Sequence, residues 1–285
     1  MPKHAYTIKM PLVRTSPVVF ASPHSGNDYP DWFVRRSLLC ADTIRSSEDA
    51  FVDQLFDAAP EFGAPLLLAG APRAFLDLNR AADELDPALI RGVRKMALNP
   101  RVASGLGVIP RVVANSRPIY SGKLSLAEAQ ERITGYWHPY HAKLTSLLDE
   151  TRQQFGRAVL VDCHSMPHEA IENVSFAGAP PQVVLGDRFG ASSDGEIVDA
   201  IEAAFVDAGL RVSRNTPFAG AYVTQQYGRP SRKQHAIQIE IDRSLYMDEK
   251  NVAPHASFAD FQGLIREVVG KIAKLGLTSQ QLAAE

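Results

Sequence analysis

The chain has 285 residues, 45% of them hydrophobic, and a formal net charge of -2. That length buries a substantial core, and the absence of any basic or acidic block excludes the electrostatic footprint of a nucleic-acid binder. No apolar run reaches the ~18 residues of a transmembrane helix, so no membrane partner is expected. The N-terminal stretch 1–14 has basic residues but no apolar h-region, so no secretory signal is read there. Two cysteines far apart, Cys40 and Cys163, fit a reducing cytoplasm better than a disulfide framework.

Apolar β-type runs alternate with helical patterns, the signature of an α/β sheet covered on both faces, here expected as one catalytic domain over residues 1–285. In chain order the predicted strands are Val18–Ser22, Pro65–Ala69, Ala74–Leu78, Ala158–Asp162, Gln182–Leu185, Arg211–Arg214 and Ala236–Ile241. A helix is predicted over Glu48–Phe62, with Phe51, Leu55, Phe56 and Ala59 at helical spacing and a stop at Gly63. Ser125 with Glu128 reads as a capping box before a long helix, which Pro139 kinks or divides. Ser193 and Glu196 repeat that signal before a helix ending near Gly209, and a last helix runs over Phe258–Leu275. The stretch from Arg80 to Tyr120 has no clear period; a connection this long is usually functional or carries small elements.

Two apolar runs end alike. Val18–Ser22 leads into Pro23-His24-Ser25-Gly26, and Ala158–Asp162 leads into Cys163-His164-Ser165. Ligands of open α/β sheets bind just beyond the carboxyl ends of the strands, so the two imidazoles are placed to converge on one metal. A catalytic zinc needs about three protein ligands, and the third is expected to be a carboxylate; Glu48 and Asp49 both lie in position to supply it. A lone histidine is more often structural than a ligand; a pair placed this way shifts the balance. His138 and His141, three apart in Trp137-His138-Pro139-Tyr140-His141, compete as a chelate, although their aromatic neighbours favour packing or substrate contact.

In His235–Ile241, Ile237, Ile239 and Ile241 share one strand face, and Ala236, Gln238 and Glu240 share the other. A carboxylate on such a strand is costly unless partnered. Either an arginine or a catalytic water meets that need; beside a metal, Glu240 would serve as general base. Arg73, Asn79 and Arg80, in Arg73-Ala-Phe-Leu-Asp77-Leu-Asn79-Arg80, are suited to an anionic substrate, or else belong to an ordinary surface loop.

Together, Ser22–Gly26, Glu48–Asp53, Arg73–Arg80, Pro118–Tyr120, Tyr136–His141, Asp162–Ser165, Gly220–Tyr222 and Gln238–Glu240 resemble the N-formylglutamate amidohydrolase (N-formylglutamate deformylase) family, in family order over about Pro17–Met247. That family is related to the zinc carboxypeptidases and aspartoacylases. The resemblance implies a three-layer α/β/α sandwich on a mixed, mostly parallel sheet, and a Zn2+ cofactor. It implies hydrolysis of the amide of a small anionic N-acyl amino acid, foremost N-formyl-L-glutamate, often in histidine degradation. His24 and His164 would match the zinc histidines, Glu240 the general base, and Asn79 with Arg80 the pair gripping the substrate carboxylate. Arg73 would be a second anion contact, and Tyr222, after Gly220 and Ala221, a hydroxyl donor. The carboxypeptidase relatives carry a ligand Glu three residues after the first histidine; here Asn27 stands there. Asp49 is therefore preferred as third ligand, with Glu48 and Asp28 behind it. The rival readings are another N-acyl amino-acid hydrolase, a small-peptide carboxypeptidase, and a non-catalytic anion-binding protein on the same scaffold.

Overall fold

Seven strands form one mixed sheet: β1 (Tyr6–Lys9), β2 (Val18–Ser22), β3 (Leu66–Ala69), β4 (Ala158–Met166), β5 (Val183–Gly186), β6 (Val212–Arg214) and β7 (Gln234–Asp242). Their order is β1-β3-β2-β4-β7-β5-β6. Strands β3, β2, β4 and β7 run parallel; β1 pairs antiparallel with β3, and β5 with β7, while β6 follows β5 in parallel. The computed structural model describes residues 1–94, 99–172, 174 and 178–275.

The alternation of side chains sorts the core into two layers, and the whole is a three-layer α/β/α sandwich. On one face, Val18, Phe20, Val159, Val161, Cys163, Ile237, Ile239 and Ile241 pack under the helices Gly195–Asp207 and Phe258–Ala273. On the other, Val19, Ala21, Ala158, Leu160 and Ala236 pack with Tyr140, Leu144, Leu147 and Leu148 of the helix His138–Phe155. Along that second face the central strands change character towards their carboxyl ends. Ala158 and Leu160 of β4 give way to Asp162 and His164, and Ala236 of β7 gives way to Gln238 and Glu240. Register sets Asp162 beside Gln238 and His164 beside Glu240. Among the described residues, no helix is long and apolar enough to cross a membrane.

Several sequence expectations need correction. Ala74–Leu78 is not a strand: the N–H groups of Phe75 and Leu76 both donate to the Pro72 carbonyl, making a buried turn of an apolar run. Strand β4 continues four residues past Asp162, so His164 lies within it rather than beyond it. The helix expected over Glu48–Phe62 is broken: Phe51 sits at φ 65, and only Val52–Leu55 and the 3-10 turn Ala59–Phe62 are helical. Glu48 and Asp49 therefore belong to a loop. The helix after Ser193 begins with Asp194 as its N-cap, without a side-chain cap bond.

Ser125 does cap its helix, its hydroxyl accepting from the Glu128 N–H. Pro139 cannot donate to the carbonyl four residues back, and a widened π turn, Ile133–Trp137, divides Leu126–Arg132 from His138–Phe155. Strand β1, exposed at the sheet edge, has no clear apolar signal and was not predicted. Between Arg80 and Tyr120 the chain forms small elements, Pro100–Ala103 and Ala114–Ser116, with residues 95–98 outside the described set.

Candidate active site

The parallel strands deliver the polar groups to one place. His24 follows β2 in a tight turn. A Cβ at Gly26 would lie 2.3 Å from the Ala71 carbonyl oxygen, so only glycine lets this turn pack against the segment after β3. The His24 carbonyl accepts the Asp49 N–H at 3.0 Å, which fixes the Asp49 loop against the same turn. His24, Asp49 and His164, all buried, each bring a donor atom within 4.8 Å of the others. Asp49 Oδ2 lies 2.9 Å from His164 Nδ1 and 3.5 Å from His24 Nδ1. Among the described residues, the buried His24 Nδ1 has no hydrogen-bond partner.

The far nitrogens are held by carboxylates. His24 Nε2 pairs with Asp77 Oδ1 at 2.7 Å, and His164 Nε2 with Asp162 Oδ2 at 3.0 Å. A carboxylate behind each imidazole fixes its orientation and tautomer, leaving Nδ1 to face the centre; this is the outer shell that metal-ligating histidines carry. Asp77 is itself fixed, accepting from the Asn79 N–H at 2.8 Å and Arg73 Nε at 3.2 Å.

Charge in this cluster favours a cation. Asp49, Asp77, Asp162 and Glu240 are four buried carboxylates around two imidazoles. Burial alone would lower the His164 imidazole, but the Asp162 charge and the hydrogen bonds to Asp162 and Asp49 hold it well above its ordinary value. Burial would likewise raise Asp49, but bonds and charge from both histidines hold it well below the usual carboxylate range. The His164 imidazole thus keeps a proton that a divalent ion on the same nitrogen would replace. The orphaned His24 Nδ1, the two-His-one-carboxylate donor set, and the 2.9 and 3.5 Å separations of Asp49 Oδ2 from the two Nδ1 atoms all fit zinc.

Glu240 stands next to this cluster on β7, register partner of His164. Gln238 Nε2 donates to Glu240 Oε1 at 2.7 Å, and the Gln238 carbonyl is pinned by the Ala221 N–H at 3.2 Å. Burial pushes the Glu240 carboxyl up to about 7; the Asp49 charge adds to this, while His164, Arg73 and Arg243 oppose it. A carboxyl poised there exchanges protons near neutral pH.

His24, His164, Gln238 and Glu240 form one wall of a cavity of about 350 Å³. Arg73, Arg80, Arg101 and Arg243 also line it. Two of these charges are taken up: Arg243 bonds Asp49 Oδ1 at 2.9 Å, and Arg73 lies 3.2 Å from Asp77 and 3.9 Å from Asp49. Arg80, only 4% exposed, donates instead to the carbonyls of Leu106 and Asn79 at 3.0 and 2.9 Å. It meets no carboxylate within 4.0 Å among the described residues. A buried cation without a counter-anion, open to a cavity, is an anion receptor.

The structure thus gathers His24, Asp49, His164, Glu240, Arg73, Asn79 and Arg80 around one space. Asn79 lines it, but both ends of its carboxamide are engaged. Its Oδ1 accepts the Val223 N–H at 2.8 Å, and its Nδ2 lies 3.2 Å from His164 Nε2 and 3.4 Å from Asp162 Oδ2. The amide therefore braces the Asp162 carboxylate behind His164 rather than facing the cavity unengaged. Tyr222 is not among the lining residues: the helix it opens turns its ring onto Trp137 and His141, at 5.8 and 5.5 Å between centroids. Glu48 bonds Arg45 at 2.9 Å, and Asp28 accepts the Lys3 N–H; neither joins the cluster.

His141 is saturated by the Tyr227 hydroxyl and the Leu78 carbonyl, both at 2.9 Å. Sequence reasoning missed Asp77, Asp162, Arg101 and Arg243. Asp162 was legible in principle, two residues before His164 and hence on its strand face; the others carry no local pattern.

The N-formylglutamate amidohydrolase family model matches residues 16–247. An N-formylglutamate deformylase of Pseudomonas putida is 31% identical, over 82% of this chain and 82% of its own length. One from Pseudomonas aeruginosa is 30% identical, over 90% and 91%. The crystal structure of an N-formylglutamate amidohydrolase from Ralstonia eutropha JMP134 superposes with a TM-score of 0.88 at 36% identity, covering 94% of this chain and 97% of that one. An Agrobacterium tumefaciens protein at 19% identity and TM-score 0.62 shares the fold.

Proposed function

Because the chain belongs to the N-formylglutamate amidohydrolase family, we propose that it is a zinc-dependent deformylase that hydrolyses N-formyl-L-glutamate to formate and L-glutamate. It acts as one catalytic unit over residues 1–285, in the cytoplasm, within amino-acid catabolism. The observation that carries this reading is the buried His24–Asp49–His164 cluster with Glu240 beside it, at the wall of a cavity that also holds the uncompensated Arg80.

His24, Asp49 and His164 would hold the ion, which would supply Lewis acidity toward the amide carbonyl and toward water. Asp77 and Asp162 keep the imidazoles aimed. Arg80 binds a substrate carboxylate, so that the short formyl group lands at the cluster. Arg73 adds positive potential on the same side, tempered by its bonds to Asp77 and Asp49. Glu240 accepts a proton from the attacking water and returns it to the departing nitrogen, so one C–N bond is broken, one C–O bond formed, and no net proton stays on the protein.

The test is formate release from N-formyl-L-glutamate by protein stripped with a chelator and then reloaded with zinc. Activity that vanishes and returns is the expected result. Full activity after verified metal removal contradicts the metal-dependent reading, and release of acetate or of a C-terminal amino acid from a substrate panel, but no formate, contradicts the acyl-group assignment.

A further inference from the structure

Four arginines line the cavity, yet only two, Arg80 and Arg101, meet no carboxylate within 4.0 Å among the described residues. They sit differently. Arg80 is buried beside Asn79, next to the histidine cluster, whereas Arg101 is exposed. Their relative positions are set by the backbone. Arg80 Nε donates to the Leu106 carbonyl at 3.0 Å, and the Leu106 N–H donates to the Arg101 carbonyl at 2.8 Å. The turn carrying Arg101 is anchored in its own right. Asn99 Oδ1 accepts the N–H groups of Arg101 and Val102 at 3.0 and 3.3 Å, and Asn99 Nδ2 donates to Glu84 at 3.1 Å.

Burial lowers Arg80 below its ordinary value; the Asp77 charge opposes this, while the like charges of Arg101 and Arg73 add to it. Two cations without an ion-pair partner, sharing one cavity, repel each other. That arrangement is unfavourable in the free protein and becomes favourable when two negative charges enter.

We infer that Arg101 is a specificity-determining residue: with Arg80 taking the substrate carboxylate nearer the metal cluster, Arg101 takes the second, side-chain carboxylate and selects acidic N-acyl amino acids over their neutral isosteres. This rests on the deformylase reading for the reaction but not for the binding. An N-formyl amino acid carries one carboxylate close to the scissile amide, and a dicarboxylic one carries a second some two methylenes further out. A deep cation and a rim cation match that order. Arg73 and Arg243 do not serve as the second contact, because Asp77 and Asp49 already take up their charge.

The experiment compares Arg101→Gln with wild type on N-formyl-L-glutamate and N-formyl-L-glutamine by formate release. Arg101 is exposed, so a charge-assisted bond there is screened and is expected to contribute about tenfold. The variant should lose about tenfold in kcat/KM on the glutamate substrate, chiefly through KM, and change less than about twofold on the glutamine substrate. Arg101→Lys should recover part of the loss. An equal fall on both substrates, or unaltered discrimination, overturns the inference.

Calorimetry with glutarate and butyrate reads the cation pair without chemistry. Wild type should bind the diacid more tightly, and Arg101→Gln should erase that preference; a preference that survives in the variant also overturns the inference. Should wild type turn over no N-formyl amino acid at all, the deformylase reading falls, and the glutarate comparison alone judges Arg101.

Discussion

Two sets of buried histidines lie on the same side of the sheet and differ in one respect. His141 has both ring nitrogens engaged by neutral partners, the Tyr227 hydroxyl and the Leu78 carbonyl, and burial lowers its pKa to about 4. His24 and His164 are as buried, but each has a carboxylate behind it, and His24 Nδ1 faces the cluster with no partner. Burial is therefore not what marks a ligand. The mark is an unsatisfied ring nitrogen that faces a buried carboxylate. His141 is a finished hydrogen-bond network; the other pair, on the reading proposed above, is completed by a metal ion.

Substitutions should separate the two regions. The largest effect is expected for His164→Ala, which removes a proposed metal ligand: zinc content by elemental analysis should fall from one ion per chain to a small fraction of that, and formate release should drop with it. Next, Glu240→Gln should keep the zinc while kcat falls about 10²–10⁴-fold, the range of general-base catalysis. Wild-type turnover in a zinc-loaded Glu240→Gln protein would remove it from that role.

Asp162→Asn keeps the ligand but weakens the carboxylate that orients it. Zinc affinity, measured by competition with a chelator, should decline about 10–100-fold. Smallest at the metal is His141→Ala, which should leave zinc stoichiometry at one. Its cost is structural, about 1–3 kcal/mol in urea unfolding, because the Tyr227 hydroxyl and the Leu78 carbonyl lose a buried partner. Loss of zinc in His141→Ala, or its retention in His164→Ala, would erase the distinction between the two sets.

The sequence carried the central sheet well, because buried parallel strands are continuous apolar runs. Val18–Ser22 and the Ile237, Ile239, Ile241 alternation could be read directly, and with them the face on which Glu240 stands. The helix over Glu48–Phe62 was misread because its apolar spacing is genuine while Phe51 takes a left-handed conformation that periodicity does not encode. That break leaves Asp49 in a loop bonded to the His24 carbonyl. Tyr222 sits in a motif that matches the family, yet its ring direction depends on Trp137 and His141, far away in sequence. Asp77 and Arg243 were illegible for the same reason: each matters only through partners brought together by the fold. His138 and His141 offer a chelating spacing within five residues, which their aromatic neighbours outweigh; His24 and His164, 140 positions apart, meet because β2 and β4 are neighbours.

The most direct test is anomalous diffraction at the zinc edge from crystals of the zinc-loaded protein. A peak enclosed by His24 Nδ1, His164 Nδ1 and an Asp49 oxygen, with the Glu240 carboxylate alongside, is the predicted result. A peak elsewhere, for instance at His138 or His141, or no peak in protein that elemental analysis finds to be loaded, would contradict it.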